Sequence, residues 1–313
     1  MQLADFGSRF IFDDPRYEAM AREGAEQYAK GTPFNHMAFD NFLPEDVAEA
    51  MLAEFPKPSD IEWHNYNRPA EQKLVCVDER KFGPVTRNML FQFNSTPFLR
   101  FLETVTGVPN MIADPHMRGG GLHQTPRGGL LKLHADFNKH DENFLDRRIN
   151  VILYLNKNWK EEYGGSLELW DQEVTYCGAK ILPVFNRLAI FSPTSNTFHG
   201  HPDPLTCPEG DSRKSLALFY YTNGRPEEEV NGAHTTIFAA RPERAHRGGA
   251  LARLAGLHAA RAVPRAAARC ASATSRARSR SAAEGPGIAG IAAAARFQAS
   301  AIVTSMLPRV AFE

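Results

Sequence analysis

The sequence predicts a mainly β protein of the α+β class, in which helices flank a barrel or sandwich of short strands. Six strand-like runs follow one another between about residues 115 and 240. Turn residues separate these runs where helices would separate alternating β and α units, and such spacing is typical of sandwiches and barrels. Ionisable residues also stand inside the apolar runs, which favours a barrel with a site in its mouth.

The bulk composition limits the remaining classes of protein. The chain has 313 residues, 36 basic and 36 acidic side chains and a hydrophobic content of 43%, enough for one large or two small domains. No early stretch resembles a signal peptide and no run is apolar enough to span a bilayer, so we expect a cytoplasmic protein without a membrane partner. Four scattered cysteines argue against a disulfide framework and against a zinc–thiolate site.

The first of three zones, residues 1–115, combines helices and short strands that we expect to pack on the barrel. Residues 43–56 carry apolar side chains on one helical face, which predicts an amphipathic helix. Residues 95–107 predict a second helix, with Pro97 near its beginning and Gly107 just past its end.

The second zone, residues 116–240, contains the strand-like runs and forms one domain with the zone before it. In chain order the runs are GGLLKLHADFN, RRINVILYLN, GGSLELWD, NRLAIFSP, TFHGHPDPL and RKSLALFYYT. Because Gly, Pro, Asn and Asp lie between them, we expect each run to be one strand of the barrel.

The third zone, residues 241–313, holds 23 Ala and 12 Arg but only three acidic residues. A GC-rich gene read out of frame yields this bias, so we interpret the zone as a non-native, disordered tail produced by a frameshift. A helix over residues 249–263 and a basic tail that binds nucleic acid or membrane are the alternatives.

A histidine and an aspartate stand one residue apart in KLHADFNKH, residues 132–140. Because side chains alternate along a strand, His134 and Asp136 should project from one face, together with Lys132. A buried carboxylate is costly unless a positive charge holds it, and a metal ion would do so. A solvent-facing polar edge is the alternative.

A metal would need a third ligand from a strand that returns beside the first. The run TFHGHP offers His199 and His201. Two histidines and one carboxylate on one face of an octahedral ion make the facial triad of non-haem Fe(II) oxygenases, which leaves coordination positions open. Zinc could use the same ligands.

A buried cation is predicted shortly after these histidines. Arg213 begins an apolar strand, and Ser215 shares its face. A guanidinium grips a carboxylate with two parallel hydrogen bonds, and no acid in the neighbouring strands is an obvious partner. We therefore expect Arg213 to bind a ligand carboxylate, with help from the hydroxyl of Tyr154. A structural salt bridge with a nearby acidic residue is the alternative.

The order of these motifs resembles the 2-oxoglutarate- and Fe(II)-dependent oxygenases of the prolyl 4-hydroxylase type. HAD, YLNKNW, GGSLELW, FNRLAIF, FHGHP and RKS follow one another in this chain. The resemblance covers about residues 33–222, and its motifs are confined to residues 122–222. It implies a double-stranded β-helix, the jelly-roll or cupin-like barrel.

The resemblance further implies that His134, Asp136 and His199 are the catalytic iron ligands. His201 should lie on the same strand face as His199 and stays an alternative third ligand. The implied reaction consumes O₂ and 2-oxoglutarate, releases succinate and CO₂, and hydroxylates an unactivated C–H bond. Ascorbate binding is expected as well.

Three residues would bind the cosubstrate if the resemblance holds. Arg213 would take the distal carboxylate of 2-oxoglutarate, with Tyr154 and Ser215 assisting. Lys214 is an alternative, since some members of the family use lysine, although strand alternation should point it away from Arg213.

The glycine-rich segment GGGLHQTPRGG, residues 119–129, is expected near the mouth of the barrel. It is either a plain flexible turn or backbone that a substrate approaches closely. His123, Gln124, Arg127 and Arg147 are candidates for the rim of the substrate site.

The sequence therefore predicts a hydroxylase acting on a prolyl or similar peptidyl side chain. A free amino acid or another small metabolite is the alternative substrate, and a non-catalytic cupin-like barrel that binds metal or sugar is the alternative of another class. The expected carboxylate clamp favours an enzyme, because a metal-binding barrel needs no buried arginine. Nucleic acid is not an expected partner, because the folded zones lack a basic stripe.

Overall fold

The computed structural model of the chain describes residues 9–114 and 116–242. In this part of the chain, thirteen strands join one sheet that curls into a nearly closed antiparallel barrel, and four α-helices pack against it. The mainly β jelly-roll fold with flanking helices is therefore confirmed.

Some strands pair with the next strand in the chain, and others pair with strands that are distant in the sequence. Their bounds are β1 His36–Phe39, β2 His64–Arg68, β3 Glu71–Cys76, β4 Ile112–Ala113, β5 Gly121–Pro126, β6 Leu130–Ala135, β7 Asp146–Tyr154, β8 Leu167–Trp170, β9 Cys177–Ile181, β10 Arg187–Phe191, β11 Phe198–His201, β12 Ser212–Thr222 and β13 Ile237–Phe238. The sheet order is β1-β10-β7-β12-β5-β3-β6-β11-β8-β9, with β2 on β3, β4 on β12 and β13 on β6. Strands from the first 115 residues thus belong to the same sheet as the later ones.

All six predicted runs form strands, namely β6, β7, β8, β10, β11 and β12. The turn predicted as one interpretation of residues 119–129 is wrong in its middle, because β5 spans Gly121–Pro126 and pairs with β12 over six residues. Only Leu122 and the terminal proline are apolar in this strand, so its sequence lacks the usual strand signal. The long partner strand supplies the backbone hydrogen bonds that make it a strand.

The helices cover one face of the barrel. They are α1 Pro15–Ala29, α2 Glu45–Ala53, α3 Pro84–Phe93 and α4 Thr96–Thr106. Helices α2 and α4 occupy the two predicted segments, and Gly107 ends α4 in the left-handed conformation with φ of 71°. Their buried side chains share one apolar cluster with Val151 and Leu153 of β7. Because strand side chains alternate, Asn150, Ile152 and Tyr154 of the same strand point to the barrel interior.

Two predictions are not tested by the described part of the chain. The division into residues 1–115, 116–240 and 241–313 stays a prediction, and the frameshift interpretation falls on a tail of which residues 243–313 lie outside the described part. Among the described helices, none combines the length and the apolar character needed to cross a membrane.

Candidate metal and cosubstrate site

Three buried side chains converge inside the barrel. His134 lies on β6, Asp136 directly follows that strand, and His199 lies opposite His134 on the neighbouring β11. One ligand atom from each of the three lies within 4.8 Å of the others, and no second such group of His, Cys, Asp and Glu occurs in the described part of the chain. We call these residues the metal cluster.

The backbone orients both histidines of the metal cluster. Nδ1 of His134 lies 2.9 Å from the carbonyl oxygen of Lys132, and Nδ1 of His199 lies 3.3 Å from that of Thr197. Since a carbonyl can only accept, both Nδ1 atoms carry the proton and both Nε2 atoms are left with a lone pair. Nε2 of His134 and Nε2 of His199 lie 3.6 and 3.3 Å from the carboxylate oxygens of Asp136.

The electrostatics of the metal cluster keep its ligands in the forms that bind metal. Burial opposes ionisation of Asp136, but the charge of the neighbouring Arg147 outweighs it and holds the pKa of Asp136 well below its usual range. Burial lowers the pKa of His199, so its imidazole stays neutral. A neutral imidazole and an ionised carboxylate are the ligating forms of these side chains.

A shift in strand register explains why the side chains of β6 that face the cavity do not follow strict alternation. His199 pairs with His134, but His201 pairs with Leu131, so β6 has one extra residue between these pairs. Leu131 and His134 consequently both face the cavity, whereas Lys132 is exposed. The expectation that Lys132 shares the face of His134 is therefore wrong.

The predicted cosubstrate residues also meet inside the barrel. Nε of Arg213 donates to the carbonyl oxygen of Gly165 at 2.7 Å, and Nη2 donates to the hydroxyl of Tyr154 at 3.1 Å. Gly165 has a φ of 74°, and a Cβ there would lie 3.0 Å from Cδ of Arg213, so glycine makes room for the arginine. Ser215 is buried between Tyr154 and His123 on the adjoining strands.

Arg213 has no acidic partner among the described residues, although burial lowers its pKa. The alternative of a structural salt bridge is therefore not supported: Arg241 pairs with Asp203 instead. A guanidinium remains charged even when buried, so this cation requires an anion from elsewhere.

Three further polar side chains face Arg213, and we call them together with Arg213 and Tyr154 the arginine cluster. Lys73 of β3 pairs with Glu71 at 3.1 Å, and burial lowers the pKa of Lys73. Burial, reinforced by the charges of Lys73 and Arg213, places the pKa values of His123 and His201 well below the usual range. Nδ1 of His201 is buried and has no hydrogen-bond partner in the described structure.

Three of the remaining candidate residues lie outside the cavity. Lys214 points away from the cavity, and its Nζ lies 3.4 Å from the carbonyl oxygen of Ser212. Gln124 is buried on the outer side and donates to the carbonyl oxygen of Pro56, while exposed Arg127 donates to backbone carbonyls near Cys207. Neither Gln124 nor Arg127 lines the cavity, so their expected place on the rim is wrong.

Arg147, the last rim candidate, lies deep beside the metal cluster, where its side chain is 1% exposed. His123 does line the cavity. Nothing in the sequence indicated Lys73, because the first half of its run EQKLVC is polar and lacks the apolar residues expected of a barrel strand.

A segment that follows the last predicted strand closes one wall of the site. We call residues 231–240 the strap. Its strand β13 pairs with β6 so that Phe238 lies opposite His134, with ring centroids 5.7 Å apart. Asn138 holds the strap by donating to the carbonyl oxygen of Gly232 and accepting from the N–H of His234, both at 2.9 Å. No sequence motif marked this segment.

The metal and arginine clusters line one cavity of about 970 Å³. This volume is at the upper end of the range of about 300–1,000 Å³ typical of ligand pockets. Aromatic side chains surround the mouth and the metal cluster, among them Trp63, Tyr66, Phe137, Phe219 and Phe238. The cavity therefore has room for a cosubstrate and for a side chain of a second substrate.

The residues of the site fit Fe(II) and 2-oxoglutarate. Two imidazoles and one carboxylate form the facial set that suits Fe(II), with coordination positions left open. Arg213 lacks an acidic partner among the described residues, and the unpartnered Nδ1 of His201 adds a polar atom that a ligand could satisfy. A dicarboxylate with one end at the metal and the other at Arg213 would meet both requirements.

The fold and the site describe a jelly-roll protein with a His-Asp-His cluster that could hold a metal and a separate buried arginine. Residues 120–221 match the family model of the 2OG-Fe(II) oxygenase superfamily. This segment of the chain is therefore similar to the 2-oxoglutarate/Fe(II)-dependent oxygenases, and the resemblance expected from the motif order is confirmed over these residues.

Individual relatives match different shares of the chain. The mouse (Mus musculus) protein "Prolyl 3-hydroxylase OGFOD1" is 33% identical over 86 residues, which are 26% of this chain and 15% of that protein. A Pseudomonas putida prolyl-4-hydroxylase structure aligns with a TM-score of 0.47 and 16% identity, over 65% of this chain and 99% of its own. A Trichoplax adhaerens prolyl hydroxylase, solved with a peptide fragment of hypoxia inducible factor, has a TM-score of 0.48 and 17% identity, over 69% and 94%.

Proposed function

We propose that this protein hydroxylates a prolyl or similar peptidyl side chain, using O₂ and 2-oxoglutarate and releasing succinate and CO₂. The observation that carries the proposal is that the metal cluster lies in the same cavity as a buried arginine, Arg213, that meets no acidic side chain in the described part of the chain. A barrel that only stored metal would gain nothing from an uncompensated cation, since burying one is costly. A non-catalytic cupin-like barrel is therefore the poorer explanation.

The residues of the chain have distinct tasks in this reaction. His134, Asp136 and His199 would hold Fe(II), which when bound supplies the activation of O₂. Arg213 orients the distal carboxylate of 2-oxoglutarate through charge-assisted hydrogen bonds, and its Nη2–H contact with Tyr154 fixes the plane of the guanidinium.

Apolar side chains around the metal cluster exclude water from the reacting C–H bond. Ile152, Leu167, Phe191 and Phe219 line the cavity between the polar groups. An active site that excludes water protects reactive species from side reactions.

The choice of a peptidyl substrate rests on two supports. The cavity mouth carries aromatic side chains, Trp63 and Tyr66 near β2 and Phe238 of the strap, between which a chain could lie. The matched mouse protein is named a prolyl 3-hydroxylase, although this chain spans about 15% of its length. A free amino acid or another small metabolite remains the alternative substrate, which the same cavity could hold.

Two expectations from the sequence accompany the proposal. Ascorbate should support turnover as a reductant, and its omission should shorten the linear phase of succinate formation. A cytoplasmic location is also proposed, and fractionation of cells that express the protein would test it.

The test is a coupled assay of the purified protein with Fe(II), 2-oxoglutarate and a library of proline-containing peptides and free amino acids. We expect slow succinate formation without a second substrate, and a faster rate with a mass increase of one oxygen atom in the accepted peptide. Oxygen incorporation only into free amino acids would replace the peptidyl substrate by the alternative. No succinate under any condition would overturn the proposed function.

A further inference from the structure

One edge of the Arg213 guanidinium is occupied by the protein itself. Nε donates to the carbonyl oxygen of Gly165 at 2.7 Å, and Nη2 donates to the hydroxyl of Tyr154 at 3.1 Å. A guanidinium binds a carboxylate with two parallel N–H groups along one edge. Since Nε–H already points at Gly165, the edge formed by Nη1 and Nη2 is the one left for a carboxylate.

Gly165 approaches Arg213 so closely that a side chain would have no ordinary room. Its φ is 74°, and a Cβ there would lie 2.8 Å from Cδ2 of Leu205 and 3.0 Å from Cδ of Arg213. Leu205 could give way, because its methyl group ends a flexible side chain. Cδ of Arg213 belongs to a side chain whose far end is held by hydrogen bonds, so a Cβ at residue 165 would displace the arginine by a few tenths of an ångström.

The turn that carries this glycine, residues 159–165, is anchored outside the cavity, and we call it the glycine turn. Nε1 of Trp159 donates to the carbonyl oxygen of Gly164 at 3.0 Å. Trp159 shares an apolar cluster with Leu205, and the ring centroids of Trp159 and Tyr163 lie 5.5 Å apart. None of these residues lines the cavity, so the anchor lies behind the wall that a ligand would touch.

The segment between β11 and β12 completes this anchor. The N–H of Thr206 donates to the carbonyl oxygen of Tyr163 at 3.0 Å, and its hydroxyl donates to that of Glu162 at 2.6 Å. The N–H of Leu205 donates at 3.0 Å to the carbonyl oxygen of Gly129, which lies between β5 and β6. This segment thus ties the glycine turn to a second turn of the barrel.

We infer that the glycine turn is a positioning element for the cosubstrate: the carbonyl of Gly165 fixes Nε of Arg213, and Trp159 holds the turn that presents this carbonyl. The Nη1–Nη2 edge is thereby directed at the distal carboxylate of 2-oxoglutarate. A side chain that is already ordered loses no rotamer freedom when its ligand binds, so the turn raises the affinity without touching the ligand. The inference rests on the proposed function, because it takes 2-oxoglutarate as the ligand of Arg213.

The test compares two 2-oxo acids as ligands of the Mn(II)-loaded protein without O₂, by calorimetric titration. 2-Oxoglutarate has the distal carboxylate, and 2-oxopentanoate has a methyl group in its place. Gly165→Ala should weaken 2-oxoglutarate binding about 10-fold, since a displacement of about 1 Å can cost about 100-fold and this displacement is smaller. The affinities for 2-oxopentanoate and Mn(II) should be unchanged, which a general loss of structure would not produce.

Two further variants separate this effect from effects on folding. Trp159→Phe removes the indole N–H that holds the turn but keeps an aromatic ring. It should weaken 2-oxoglutarate binding about 2- to 5-fold, the range of one neutral hydrogen bond, and leave 2-oxopentanoate unaffected. Gly107→Ala is the matched control for left-handed backbone, because its φ is 71° and a Cβ there meets no atom within 4 Å. It should leave the binding of both acids unchanged.

Equal losses of 2-oxoglutarate and 2-oxopentanoate binding in Gly165→Ala, or unchanged 2-oxoglutarate binding, would overturn the inference. Circular dichroism of each Mn(II)-loaded variant shows whether it is folded, and if Gly165→Ala is not, the same comparison in Trp159→Phe decides. If the wild-type protein binds 2-oxoglutarate no better than 2-oxopentanoate, the proposed function is wrong and the inference falls with it.

Discussion

At the metal cluster the carboxylate of Asp136 is met by Arg147 and Asn150, whereas at the arginine cluster Arg213 meets no carboxylate of the described residues. Both regions are buried in one cavity, and both place a cation over an aromatic ring. The difference shows which region is complete within the protein and which one depends on a ligand. A metal can share the carboxylate of Asp136, but only an added anion can satisfy Arg213.

The largest effect is expected when the metal cluster itself is broken. Asp136→Ala should abolish Fe(II) binding and turnover together, because it removes the anionic ligand and leaves Arg147 buried without its partner. Loss of one partner of a buried pair costs about 3–5 kcal/mol, so stability should fall as well. His134→Ala should abolish metal binding without leaving a buried cation unpaired. Metal titration and succinate assays measure both, and full turnover in Asp136→Ala would contradict the assignment.

The next comparison separates the two histidines of β11. His199→Ala should lower succinate formation by orders of magnitude, since Nε2 of His199 faces Asp136 at 3.3 Å. His201→Ala should retain metal binding and affect mainly the arginine cluster, where Nδ1 of His201 has no partner. Equal and severe losses in two folded variants would leave the assignment of His199 unsupported.

A change at the arginine cluster should act on the cosubstrate alone. Arg213→Ala should raise the KM for 2-oxoglutarate by about 30- to several-thousand-fold, which corresponds to about 2–5 kcal/mol for a buried charged contact. Metal affinity should be nearly unchanged. Lys214→Ala is the matched control, because Lys214 points out of the cavity and its loss should leave the KM unaltered. An unchanged KM in Arg213→Ala would return this arginine to a structural role.

The neutral histidines of the arginine cluster predict a pH dependence of stability in the metal-free protein. The pKa of folded His201 is well below the unfolded value of about 6.5, so the unfolded chain takes up the proton first. Stability is therefore fully present above about pH 6.5 and declines as the pH falls below it, by up to about 1.4 kcal/mol per pH unit.

Urea unfolding at several pH values in the presence of a chelator measures this slope. His201→Asn should reduce the slope below pH 6.5, whereas His64→Asn, at an exposed position, should leave it as in the wild type. An identical slope in His201→Asn and the wild type would contradict a neutral buried His201.

The smallest effect concerns the strap beside the metal cluster. A chain that ends after residue 244 keeps the strap and should bind Mn(II) and turn over 2-oxoglutarate as the full chain does. A chain that ends after residue 230 loses the contact of Phe238 with His134 and should bind Mn(II) several-fold more weakly. A chain ending after residue 244 that cannot fold would show that the Ala- and Arg-rich zone is a real part of the domain.

Much of the site could be predicted because it depends on short-range order. His134, Asp136 and Tyr154 lie on runs whose alternation is visible in the sequence, and Arg213 begins another such run. Alternation determines which side chains share a face, and burial of an ionisable group within an apolar run signals a ligand or a partner. The six-strand pattern and two of the helices follow from the same local information.

The sequence by itself indicated six of the strands, the candidate metal ligands and the buried arginine, while the tertiary structure decided which side chains meet them. Lys132 faces solvent and Arg147 faces Asp136 because the register shifts by one residue in β6 and in β7. A shift of one residue exchanges the two faces of a strand, and it depends on the hydrogen bonds of a partner strand far away in sequence. Lys73, the strap and β5 join the site for the same reason, since long-range pairing places them there.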